Sequence, residues 1–188
     1  MNSSIQTDLT KGHITTHLKR IAIPASVGFL FNTLFNVVDT IYAGRLSTDA
    51  LAGLTLSFPI FFIIIAVTAG LGNAISALAS IALGQKNRVL FHQIIKNALF
   101  LGAILSLVIT ILAPFISEPL FDLLGSDDVA KSLGISYINT IFMGSIFFVF
   151  NAILSGILSS QGQTKPYRNL LVIGFFMNLI LDPLFIFG

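Results

Sequence analysis

From the amino end, a polar stretch gives way to five long apolar runs separated by short polar connectors. The runs fall at about residues 18–43, 51–83, 90–116, 132–159 and 167–187. Each meets the roughly 20 apolar residues that a helix needs to cross a bilayer. None shows the two-residue alternation of a strand, and backbone groups in lipid must be satisfied internally. Helix breakers collect where the runs stop, at Gly44 to Asp49, Gly84 to Arg88, Pro119 to Asp128 and Gln161 to Arg168. The pattern predicts an all-α, polytopic membrane helical bundle with five transmembrane helices. Residues 1–17 read as a polar cytoplasmic leader and 18–188 as one transmembrane lobe. Lys19 and Arg20 ahead of the first run resemble the start of a signal peptide. The run is too long for one, and no small-residue cleavage site follows it.

The polar positions left inside the runs are few and ordered. At about 100° per residue, Ala25, Gly28, Asn32, Asn36, Asp39 and Ala43 share one face of the first helix. Val27, Leu30, Leu34, Val37 and Ile41 take the opposite face. The last run repeats this more briefly, with Gly174, Asn178 and Asp182 stacked against Phe176 and Ile180. The fourth run carries Asn151, Ser155 and Ser159 at the same spacing, and Tyr137 near its outer end. A charged residue at the bilayer centre costs about 2.5–3.5 kcal/mol on insertion scales, so such residues usually face the protein interior. Plainer roles exist for each. Asp39 lies near Gly44 and can reach the interface. Asp182 precedes Pro183 and can bond backbone groups freed by it. The asparagines and serines can be interhelical glue, and Tyr137 a member of an interfacial belt. The small residues between Gly70 and Gly84 read as a helix-packing face.

Composition agrees with the pattern. Of the 188 residues, 55% are hydrophobic and 10% charged, well below the roughly 25% charge of a soluble domain. Mean hydropathy is +0.93. There is no cysteine, which excludes disulfides, thiol chemistry and Cys-based metal sites. With the amino terminus inside, Lys11, Lys19, Arg20, Lys86, Arg88, Lys96, Lys165 and Arg168 fall on the cytoplasmic side. Only Arg45 and Lys131 fall outside, the asymmetry of an N-inside protein. The net charge of +2 comes from scattered single residues, so nucleic acid is not an expected partner. No nucleophile–base pair or metal constellation is visible, and an enzyme is not expected.

Buried carboxylates have a chemistry of their own. Desolvation disfavours the charged form, so a pair of such acids can hold a proton, and their oxygens, with a neighbouring amide, can instead coordinate Na⁺. If occupancy differs between two conformations, an ion gradient is coupled to movement. That is the chemistry of a secondary transporter.

Two stretches carry a resemblance. The run PASVGFLFNTLFNVVDTIYAGRLS and the run GILSSQGQTKPYRNLLVIGFFMNLILDPLFIFG resemble the first helix and the fourth-to-fifth helices of the multidrug and toxic compound extrusion (MATE) family. The spacing from Asp39 to Asn178 and Asp182 also fits, and the likeness covers the chain from about His17 onward. The resemblance implies two six-helix lobes, alternating access driven by Na⁺ or H⁺, and export of small organic, often cationic, drugs or toxic compounds from the cell. It places the protein in the inner (plasma) membrane, with a carboxy-terminal lobe as partner and no cofactor beyond the coupling ion. It further implies that Asp39, Asn178 and Asp182 form the amino-lobe cation site and that Pro24 is a hinge. Asn32, Asn36, Tyr137, Asn151 and Ser155 would support the site, Ser155 standing where some members carry Asn. A sixth-helix Thr would lie beyond Gly188, so the chain reads as an amino-lobe fragment that transports nothing alone. Two alternatives remain: a lipid or lipid-linked oligosaccharide flippase of the same superfamily, which cationic residues inside the lobe would favour and none are seen, and a non-transporting membrane scaffold subunit.

Overall fold

The computed structural model describes residues 13–125 and 127–188. Residues 1–12 of the polar leader, Lys11 among them, lie outside the described residues. Six helices follow one another: α1 (Ile14–Leu46), α2 (Thr48–Gly84), α3 (Arg88–Leu123), α4 (Asp128–Met143), α5 (Ser145–Ser160) and α6 (Lys165–Phe187). The connectors are shorter than the breakers alone predict. Ser47 is the sole residue between α1 and α2, and its side chain accepts from the Ala50 N–H at 3.0 Å, capping α2. Asn87 caps α3 in the same way through the Leu90 N–H. Such side chains take over N–H groups that the first helical turn leaves unpaired. With 37 residues, α2 is about 55 Å long at 1.5 Å per residue, so it projects well beyond a hydrocarbon core about 30 Å thick.

Several boundaries differ from expectation by three residues or more, and two of them have a consequence for the reading. α1 starts at Ile14, so residues 14–17 belong to the helix rather than to the leader. α3 runs to Leu123 through Pro114 and Pro119. Neighbouring helices can satisfy the carbonyls that an internal proline frees, and Gly125, with φ of 69°, ends the segment instead.

The larger correction concerns the fourth span. The expected single helix over 132–159 is two helices, α4 and α5, bent by 50° at Gly144. No proline marks the break, so the apolar pattern runs through it unbroken. The exposed polar backbone is met from α3. Thr110 Oγ1 donates to the Phe142 carbonyl at 3.1 Å, and Ser145 Oγ donates to the Ser106 carbonyl at 3.0 Å. The two hydroxyl oxygens stand 2.9 Å apart, with Ser145 fully buried.

Contacts along the helices fix their directions. Gly53 of α2 lies against Ala130 and Gly134 of α4, and Gly72 lies against Ala152 and Gly156 of α5. Chain numbers rise together on both sides, so α4 and α5 jointly run parallel to α2 along its length. Against α3 they fall: Gly102 meets Ile153, Thr110 meets Phe142, and Phe121 meets Gly134. The bent pair is therefore one broken span, which gives five spans among the described residues.

Small residues let these backbones approach. A Cβ on Gly72 would stand 2.9 Å from the Ala152 carbonyl oxygen, and one on Gly156 would collide with that of Gly72. Within the stretch from Gly70 to Gly84, only Gly72, Ile75, Ala79 and Ala82 are buried. Gly70 faces open space. The packing face is narrower than composition implied. Its apolar core comprises Ile75, Ala98, Val149 and Ile153 at one level and Ile60, Ile64, Ala113, Phe121, Ile138 and Phe142 at the other.

Candidate functional site

α1 and α6 form a pair beside the α2–α5 block. α1 packs closely on α6 and more lightly on α2, while α6 touches the block only through α5. Within the pair, Gly28 admits Leu171, Phe31 meets Phe175 edge-on with ring centroids 5.4 Å apart, and Tyr42 meets Phe187 at 6.2 Å. Numbers rise together again, so α1 and α6 are parallel.

Between the aromatic contacts lies the polar centre. Asn178 of α6 is buried, and its Nδ2 donates to Asp39 Oδ1 of α1 at 2.9 Å and to Asp182 Oδ2, one turn along α6, at 2.8 Å. A carboxylate can only accept, so the amide must present its nitrogen to both acids. Its Oδ1 then has no donor. Two carboxylates and one unpartnered amide oxygen are thus gathered where two parallel helices meet. Residues 139 positions apart in the chain are joined by one amide. All the donor atoms available to a cation here are oxygens, the type that suits a hard cation. Among the described residues no cluster of three His, Cys, Asp or Glu side chains is poised to hold a metal.

The other sequence-derived candidates are distributed differently. Tyr137 lies on α4, within electrostatic reach of both Asp39 and Asp182, although α4 does not pack against α1 or α6. Asn36 donates to the Asn32 carbonyl of its own helix at 2.9 Å, and Asn32 is exposed. Asn151 and Ser155 are half-buried on α5, and no hydrogen bond joins either to the carboxylates. Pro24 is buried inside α1. Asn139 escaped the sequence reading: its Oδ1 is buried without a partner, two residues beyond Tyr137 on α4. It stands among Ser136, Tyr137 and Thr140, three four-residue steps before Asn151, with apolar Met143 and Phe147 at the steps between.

A bundle of apolar helices long enough to cross a bilayer, with a buried polar centre joining two of them, defines a polytopic membrane protein. The MatE family model matches residues 24–184, and the chain belongs to that family of MATE multidrug efflux transporters. It is 30% identical over 171 residues to the FAD transporter of Shewanella oneidensis, covering 91% of this chain and 38% of that protein. It is 27% identical to the probable multidrug resistance protein NorM of Thermotoga maritima, covering 93% and 38%. Among solved structures, a MOP superfamily transporter from Pyrococcus furiosus superposes with a TM-score of 0.90 at 31% identity, over 99% of this chain and 41% of that one. The chain thus spans about two-fifths of the length of these relatives. Two of the three are named as transporters and the third as a probable multidrug resistance protein.

Proposed function

We propose that this chain contributes the coupling-ion site of an inner-membrane antiporter that exports small organic compounds by alternating access. Asp39, Asn178 and Asp182 bind the ion, Na⁺ or H⁺. One observation carries the reading: a single buried amide holds carboxylates from α1 and α6 together while its own oxygen stays unpartnered. In this arrangement the Asn178 N–H groups offset the two carboxylates. A cation or proton at the acids removes the need for those donors and frees the amide to turn its oxygen inward. Ion occupancy then changes how α1 is tied to α6, which is the linkage that alternating access requires. Pro24, part-way along α1, is where that helix can flex. Tyr137 borders the site from α4. The carboxy-terminal lobe expected from the family supplies the rest of the pathway.

The identity to an FAD transporter favours a second reading of the cargo, a nucleotide-type cofactor rather than a cationic drug. A transport panel including both substrate classes separates them.

The test of coupling is Asp39→Asn in a transport-competent protein carrying this sequence. The change keeps an acceptor for Asn178, so expression and melting temperature should stay near wild type while ion-driven efflux is lost. Efflux at the wild-type rate would remove Asp39 from the mechanism. The ion is identified separately. If the site takes Na⁺, NaCl should raise the melting temperature over choline chloride at equal ionic strength, by mass action reaching about 2.7 kcal/mol at 100 times Kd. No Na⁺-specific shift at any pH would point to a proton, or to no ion site at these acids.

A further inference from the structure

The two ends of the bundle differ sharply in charge. The helix directions place Lys19, Arg20, Lys86, Lys165 and Arg168 at the end where α3 begins, and no Asp or Glu among the described residues lies there. The opposite end carries Asp49, Glu118, Asp122, Asp127 and Asp128 beside Arg45 and Lys131. There Lys131 pairs with Asp122 and Glu118. At the basic end, Arg88 and Lys96 have no such partner among the described residues.

On α3 the positive groups line a shallow groove formed by Arg88, Val89, His92, Gln93 and Lys96. All five are exposed, and Arg88, His92 and Lys96 follow one another by single turns. His92 Nδ1 lies 2.6 Å from the Arg88 carbonyl. A carbonyl only accepts, so Nδ1 carries the hydrogen and is committed to the helix backbone. Below Lys96 the same face continues through Phe100 and Leu107, which are 68% and 59% exposed. At about 100° per residue both fall within about 40° of Lys96, so basic and apolar positions form one stripe. The ligand that matches it is an amphiphile with an anionic head.

We propose that the groove at the start of α3 binds the phosphate headgroup of an anionic phospholipid, with an acyl chain laid along Phe100 and Leu107. Basic clusters beside a membrane span recognise such headgroups by charge. The apolar continuation separates a lipid from free phosphate, which would use only the basic part. The site lies on another helix from the ion site and does not depend on how that site works.

Native mass spectrometry of the detergent-purified full chain, titrated with phosphatidylglycerol or phosphatidylcholine, tests this. Wild-type protein should retain phosphatidylglycerol at least about fivefold more tightly, since Arg88 and Lys96 supply two cations there. Arg88→Gln/Lys96→Gln should abolish that preference, Arg88→Lys/Lys96→Arg should restore it, and Lys19→Gln/Lys165→Gln should leave it intact. Phe100→Ser/Leu107→Ser should weaken retention without altering charge, with helix content checked by circular dichroism for every variant. Unchanged preference in the Gln variant overturns the site. So does a glycerol phosphate that competes as well as the whole lipid, or loss of preference in the Lys19/Lys165 control alone.

Discussion

At the scale of single residues, Asn178 is the position on which the polar centre depends. Each of its two N–H groups is committed to a different carboxylate. Hydrogen bonds to charged groups contribute about 1.5–3 kcal/mol each, so losing both in Asn178→Leu should destabilise the protein by about 3–6 kcal/mol in cation-free buffer. Asp39→Leu removes the acceptor of one of the same bonds. The two changes should therefore be non-additive, with a coupling of about 0.5–3 kcal/mol in a double-mutant unfolding cycle. Strict additivity would mean that the bond between α1 and α6 does not form in the membrane protein. This centre was legible in the sequence because Asp39, Asn178 and Asp182 are costly in lipid and fall on faces already rich in small and polar residues. Their joining through Asn178 was not, since helical periodicity places a residue on its own helix and says nothing about a partner 139 positions away. Asn32 shows the same limit from the other side: it shares the polar face of α1, yet it is exposed.

At the scale of elements, the break between α4 and α5 is the feature that hydrophobic pattern conceals. Apolar residues continue on both sides of Gly144, and no proline or charge announces a stop. The signal lay on another helix: on α3 the Thr110 hydroxyl meets Phe142 and Ser145, and the Ser106 backbone carbonyl one turn earlier accepts from Ser145. Polar hydrogen bonds between helices stabilise membrane proteins by about 0.6 kcal/mol on average and up to about 1.7 kcal/mol. Thr110→Val keeps the side-chain shape but removes the donor to Phe142, and Ser145→Ala removes the donor to Ser106. Each should lower unfolding free energy by about 1 kcal/mol. The double variant should depart from the sum, because the hydroxyls touch. The measurement is equilibrium unfolding in mixed micelles. If neither change has an effect, the hydroxyls do not hold the bend, and close packing of Gly134 against Phe121 and of Gly102 against Ile153 must hold it instead.

At the scale of the whole molecule, the order of the spans follows from contacts rather than from hydropathy. Four helices are long and apolar enough to cross alone, and the bent pair supplies a fifth crossing only if it does not turn back. A re-entrant α4–α5 would return the chain to the side it left, and α6 would then run antiparallel to α1. The contacts of Gly28 with Leu171, Phe31 with Phe175 and Tyr42 with Phe187 exclude that order, because they ascend together. The absence of cysteine makes the consequence measurable without background labelling. Single cysteines at Ser47 and Gly125 should react with a membrane-impermeant maleimide from one side of the membrane, and those at Gln85 and Gln163 from the other. The excess of Lys and Arg around Gln85 and Gln163 assigns that second side to the cytoplasm, so in intact cells only the first pair should label. Labelling of Gln163→Cys together with Gly125→Cys would show that the broken span turns back. It would also separate α1 from α6, and with them Asp39 from Asp182, so the topology and the proposed ion site stand or fall on the same crossing.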